Sequence, residues 1–131
     1  MKLSLEAVSE FNQIHSYDDN NVVIRPQHQD RLDAIETSFI LTADTLIRDW
    51  AVSDIQQLSA AQVAELQSLD PEVILFATGS GLTVEHQKIA QLFMPHHIGV
   101  EFMDLGPACR TFNLLVTEQR KVLLGVCFQS V

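Results

Sequence analysis

From Val73 onward the chain alternates between two kinds of segment, and this alternation restricts the possible folds more than any other feature. Val73-Ile74-Leu75-Phe76-Ala77 is a continuous apolar run, Ile98 to Met103 is a second strand-like stretch, and Lys121 to Phe128 is a third. A short run of this kind, without in-and-out alternation, suits a strand covered on both faces. Between these runs the punctuation is helical. A helix is predicted from about Val84 to Phe93, with Ile89, Leu92 and Phe93 inward and Pro95 closing it. Asp104-Leu105-Gly106-Pro107 leads into the next helix, with Pro107 suited to a first helical position because an amide hydrogen there would find no acceptor. Strands linked through helices imply parallel neighbours with right-handed crossovers. Their spatial order stays open.

Just upstream lies the best-marked helix start in the chain. Ser59-Ala60-Ala61-Gln62 is a capping box, Leu58 and Val63 are placed to form a hydrophobic staple, and Asp70-Pro71 ends the segment. The first half reads as short strands and turns. Phe11 to Tyr17 and Val22 to Ile24 flank the turn-like Asp18-Asp19-Asn20-Asn21, and the stretches Ser38 to Leu41 and Ile47 to Val52 flank Thr42-Ala43-Asp44-Thr45. One antiparallel, twisted sheet is expected, with Arg25 to Arg31, which contains Pro26, as an exposed loop. No long linker or internal repeat divides residues 1–131, so a single domain is expected.

Charge narrows the partners. Acidic residues number 17 against 8 Lys and Arg, a formal net charge of −9. That field repels phosphate backbones and anionic lipid, so nucleic acid is disfavoured as a partner. A basic patch on a protein partner stays open. Glu6 and Glu10 interrupt any apolar signal core at the start, and no apolar stretch approaches the roughly 20 residues of a membrane-spanning helix. Membrane insertion is therefore not expected. Cys109 and Cys127 do not form the pattern of a secreted disulfide framework, so a reducing cytoplasm is the expected location.

In an open α/β sheet, ligands gather beyond the carboxyl ends of the parallel strands. Two loops fall at that edge, Thr78-Gly79-Ser80-Gly81 and Asp104-Leu105-Gly106-Pro107, and with the following helix they present Thr78, Ser80, Asp104, Arg110 and Thr111 around one depression. Gly79 and Gly81 before a helix suit either an anion cradle or a tight turn. The dinucleotide fingerprint fails because Val84 stands where its third glycine belongs, and the Gly-Lys-Ser/Thr ending of a P-loop is missing.

Cys109, Arg110, Thr111 and Asn113 form the densest polar group. A cysteine in the first turn of a helix beside an arginine can be an activated nucleophile, or a buried and inert thiol. Arg110 can hold an anion, or pair internally with Asp104 or Glu118. His86 and the His96-His97 pair lack metal-ligand spacing, and His15 and His28 lie in the other half, so all five read as solvated loop histidines. No metal or cofactor is expected. Trp50 reads as core or edge cover.

The segment Gly99-Val100-Glu101-Phe102-Met103-Asp104, continuing through Ala108-Cys109-Arg110-Thr111-Phe112-Asn113-Leu114-Leu115 to Glu118 and Arg120, resembles the Mth938-like family, a domain of unknown function. Phe76-Ala77-Thr78-Gly79 is similar to that family's glycine-threonine-glycine turn, and Asp49-Trp50 to its tryptophan-bearing strand. Ala77, Leu105, Phe112 and Gln119 depart from the pattern, where a glycine, a threonine, a tyrosine and a glycine are usual. The resemblance implies a three-layer α/β fold whose mixed sheet contains a parallel βαβαβ C-terminal half, and no established reaction. It also implies kinship with an assembly factor for mitochondrial respiratory complex I.

The leading expectation is therefore a non-catalytic binding or assembly protein with a protein partner, working through Thr78, Gly79, Ser80, Asp104, Arg110, Thr111 and Asn113. The alternative is a small enzyme or carrier for an anionic ligand in the same depression, with Asp104 or Cys109 performing any chemistry. A homodimer through an exposed strand of the first half is a third possibility. The sequence leaves the oligomeric state open.

Overall fold

The structure is a computed structural model that describes residues 8–78 and 82–128. Its strands form two sheets. β1 (Gln13–Tyr17), β2 (Val22–Arg25) and β3 (Asp33–Ile35) make a small antiparallel sheet in that order. β4 (Phe39–Leu41), β5 (Leu46–Ile47), β6 (Val73–Ala77), β7 (Gly99–Met103) and β8 (Val122–Val126) make a five-stranded sheet in the order β5-β4-β8-β6-β7. β6 lies parallel to both β7 and β8, while β4 runs antiparallel to β8. The single antiparallel sheet expected of the first half is thus a correction. β4 is buried at all three residues and joins the central sheet, leaving β1 to β3 to cover that sheet from outside.

Three helices complete the layers: α1 (Ala60–Ser68), α2 (Val84–Phe93) and α3 (Leu105–Thr117). Strand alternation divides the core between the two faces of the central sheet. Leu75, Ala77, Leu124 and Val126 pack with α3 residues Ala108, Cys109 and Phe112 and with Ile14, Val22 and Ile24 of the small sheet. Ile74, Phe76 and Leu123 pack on the other face with Val63 and Leu66 of α1 and Ile89 and Phe93 of α2. Trp50 is buried there too.

The Ser59–Gln62 capping box forms as expected, with both reciprocal bonds present. Leu58 and Val63 join the same apolar cluster. Other expectations are corrected. β3 follows the polar loop after Arg25 and was not anticipated, being only three residues long and fixed by its pairing with β2. The run Ile47 to Val52 leaves extended geometry once Asp49 takes φ 54°. Leu92 is half exposed, because His86, Ile89 and Phe93 already define the inward stripe of α2. α3 begins two residues before Pro107, which lies in its first turn, where the helical amides have no partner in the helix in any case.

Candidate functional site

Three parallel strands end level with one another. Ala77 registers with Met103 on one side and with Val126 on the other, so the chain leaves β6, β7 and β8 at one edge. The Thr78 amide then donates to the Met103 carbonyl at 3.0 Å. Asp104 is the N-cap of α3, in extended geometry (φ −65°, ψ 162°), and its carboxylate makes no capping bond to the helix amides. A cavity of about 680 Å³ opens here. Thr78, Asp104 and Gly106 form one wall, Tyr17, Asp18 and Asp19 from the β1–β2 turn form another, and Ala77, Leu105, Val126 and Phe128 supply an apolar floor.

α3 and the β1–β2 hairpin meet closely at this edge. A Cβ on Gly106 would stand 3.0 Å from the Tyr17 hydroxyl oxygen and 3.3 Å from Arg110 Nη1, so a larger residue would push these side-chain ends back by a few tenths of an ångström. Arg110, one turn further, donates from Nη1 to the Tyr17 hydroxyl at 2.6 Å. Asn113, a turn beyond, accepts from the Ile14 amide at 2.8 Å and donates to the Ile14 carbonyl at 2.8 Å. It thereby satisfies both backbone groups of an edge strand.

The site residues expected from sequence therefore separate. Thr78 and Asp104 line the cavity. Arg110 borders it through Tyr17, pairing with neither Asp104 nor Glu118. Thr111 is half-buried on α3, and neither it nor Asn113 is among the described residues that line the cavity. Gly79 and Ser80 lie outside the described residues. Tyr17, Asp18 and Asp19 were missed, because their place depends on a hairpin docking on a helix some 90 residues later. A glycine inside the first turn of α3 was the available signal for that close approach.

Cys109 is 1% exposed, and burial pushes its thiol up to about 12, with only partial relief from the Arg110 charge. It is a core side chain, not an activated nucleophile. Cys127, which also touches the cavity, is likewise pushed by burial up to about 12. His86 is 3% exposed within α2, correcting the reading of a solvated loop histidine, while His15, His28, His96 and His97 are exposed. Among the described residues no group of His, Cys, Asp and Glu is arranged to hold a metal ion.

Residues 14–127 match the family described as "Protein of unknown function (DUF498/DUF598)". The chain belongs to this family. Among solved structures, a Xanthomonas campestris protein aligns over 98% of this chain and 92% of its own, with a TM-score of 0.73 and 27% identity. A Bordetella pertussis protein described as a Mth938-like domain aligns over 99% and 94%, with a TM-score of 0.68 and 20% identity, and shares the fold. A "13 kDa major membrane protein" of Francisella tularensis subsp. holarctica is 32% identical over 71 residues, 54% of this chain and 58% of that protein. A Danio rerio protein named "NADH dehydrogenase [ubiquinone] 1 alpha subcomplex assembly factor 3" is 29% identical over 76 residues, 56% of this chain and 44% of that protein. The chain thus spans about half the length of these two relatives. Among the described residues no helix is long and apolar enough to cross a membrane.

Proposed function

We propose that this protein is a non-catalytic binding or assembly factor, connected with the biogenesis of respiratory complex I, that receives a segment of a protein partner in the cavity at the ends of β6, β7 and β8. One observation carries the reading. Polar side chains of α3 beside the cavity are committed to structure: Arg110 donates to Tyr17 of one wall and Asn113 ties Ile14 of the same strand, while the neighbouring thiol is sealed in the core. A walled depression with an apolar floor suits docking. The likeness to an assembly factor over 76 residues supports the same reading. Two free cysteines suit a reducing, cytoplasmic compartment.

The carboxylates of Asp18, Asp19 and Asp104 favour a partner segment carrying basic side chains, since no Lys or Arg is among the described residues lining the cavity. The same carboxylates work against the alternative of an anionic metabolite. Affinity capture from native membrane extract with wild type and Asp104→Arg separates the readings. Asp104 is exposed and makes no capping bond, so the charge reversal is expected to cost only the helix-dipole interaction, about 0.3–1 kcal/mol, and a thermal melt of the variant checks that it folds. Wild type is expected to retain respiratory-complex proteins that the variant loses. Equal capture by both, or thermal stabilisation by small anions that the reversal enhances, would contradict docking at this cavity.

A further inference from the structure

Two helices of this protein carry the same N-terminal device with a different third residue. At α1, Ser59 Oγ accepts from the Gln62 amide at 3.1 Å and Gln62 Oε1 accepts from the Ser59 amide at 2.9 Å. At α2, Thr83 Oγ1 accepts from the His86 amide at 3.1 Å and His86 Nδ1 accepts from the Thr83 amide at 3.1 Å. The glutamine oxygen accepts at any pH. The imidazole nitrogen accepts only while it carries no proton, so the bond fixes the tautomer with hydrogen on Nε2. Protonation would set N–H against N–H.

The surroundings leave the ring little freedom to avoid that conflict. His86 is 3% exposed and stacks on Phe102 with centroids 4.7 Å apart and planes at 24°. The positive end of the α2 dipole lies beside it. Among the described residues, the one carboxylate on the small cavity of about 60 Å³ that His86 borders is Asp54, whose Oδ1 already accepts from the Gln56 amide at 2.9 Å and Gln56 Nε2 at 3.3 Å. Gln56 Oε1 in turn accepts from Thr83 Oγ1 at 3.0 Å. The Cys127 thiol on the same cavity is neutral. Glu85 and Lys88 of α2 and Glu101 of β7 are exposed, and so is His96, in the turn that follows α2.

We propose that His86 makes the start of α2 a pH-sensitive junction: its protonation releases the Thr83 amide and slackens the Thr83–Gln56 link, while the glutamine-capped α1 holds. Thr78 and Cys127 line both this small cavity and the larger one, which sets the junction beside the proposed docking site. The inference does not depend on that site having a partner.

The test is residue-resolved amide exchange and His86 ring titration by NMR, on wild type and His86→Gln, from neutral pH down to the acid limit of the folded state. In wild type the Thr83 amide, corrected for intrinsic exchange, is expected to lose roughly five- to tenfold of its protection, the equivalent of one lost cap. That loss should follow the His86 ring titration, while the Ser59 amide stays unchanged. In His86→Gln the Thr83 amide should remain protected throughout. A Thr83 amide that keeps its protection as the ring titrates, a ring that stays neutral across the range, or the same acid loss in His86→Gln would each overturn the proposal. The Ser59–Thr83 comparison within wild type decides the matter even if the variant folds poorly.

Discussion

Asn113 sits beside Arg110 and Thr111 in the sequence and reads there as a contact for a ligand, yet its carboxamide is committed to the backbone of β1. Both bonds, at 2.8 Å, lie in part-buried surroundings, and an alanine would leave the Ile14 amide and carbonyl without these partners. Asn113→Ala is expected to lower stability by about 2 kcal/mol in equilibrium urea unfolding. An unchanged midpoint would mean that water replaces the side chain freely. Cys109 teaches a related lesson. The sequence suggests a first-turn position suited to a reactive thiol, but α3 starts at Leu105, which makes Cys109 its fifth residue, and burial outweighs the nearby guanidinium and pushes the thiol up to about 12. The native thiol should resist a chromogenic thiol reagent at neutral pH and react only on unfolding. Because the unfolded thiol ionises first, near the model-compound value of 9.0, this group's contribution is constant below that pH and is lost as pH rises toward about 12. Stability measured against alkaline pH should therefore fall over that window, for Cys127 as well.

At the level of elements, local signals in the sequence proved legible wherever a few neighbouring residues decide the outcome. The Ser59–Gln62 box, the Asp18–Asn21 turn and the apolar run Val73–Ala77 are of this kind: each is fixed by contacts within four residues or by burial on both faces. β3 and the short β5 were not, since strands of three and two residues exist only through their partners. Nor was the wall made by Tyr17, Asp18 and Asp19, whose place rests on tertiary docking. The helix exits carry a further cost. Asp70, His97 and Gln119 all take positive φ, at 56°, 60° and 64°, where the chain turns from helix or 3-10 turn toward the next strand. After α3 the Gln119 amide donates to Val116 and the Arg120 amide to Leu115, the paired bonds of a Schellman turn, in which glycine is the usual occupant. Gln119→Gly should raise stability by roughly 0.5–1 kcal/mol in thermal or urea unfolding, the strain relieved outweighing the added chain entropy. A drop would show that the Gln119 side chain contributes more than its backbone costs.

Taken whole, the molecule places a small antiparallel sheet and α3 on one face of a mixed sheet and α1 and α2 on the other, and opens a cavity of about 680 Å³ where three parallel strands end together. The opposite pole is differently built. Arg120 pairs with Glu72 at 2.8 Å and Lys121 with Asp70 at 3.3 Å, neutralising charge around the helix exits. The proposal that a partner docks at the strand ends, and not at that pole, can be tested without knowing the partner. A photo-crosslinking amino acid would be placed in cells at Asp19 or Asp104 on the cavity, and at Asp70 or Gln119 on the opposite pole, all four being exposed positions. The expected result is a discrete protein adduct from the cavity positions in cells, and a weaker one when irradiation instead follows lysis in buffer of rising salt. Adducts only from Asp70 or Gln119, with none from the cavity, would contradict it.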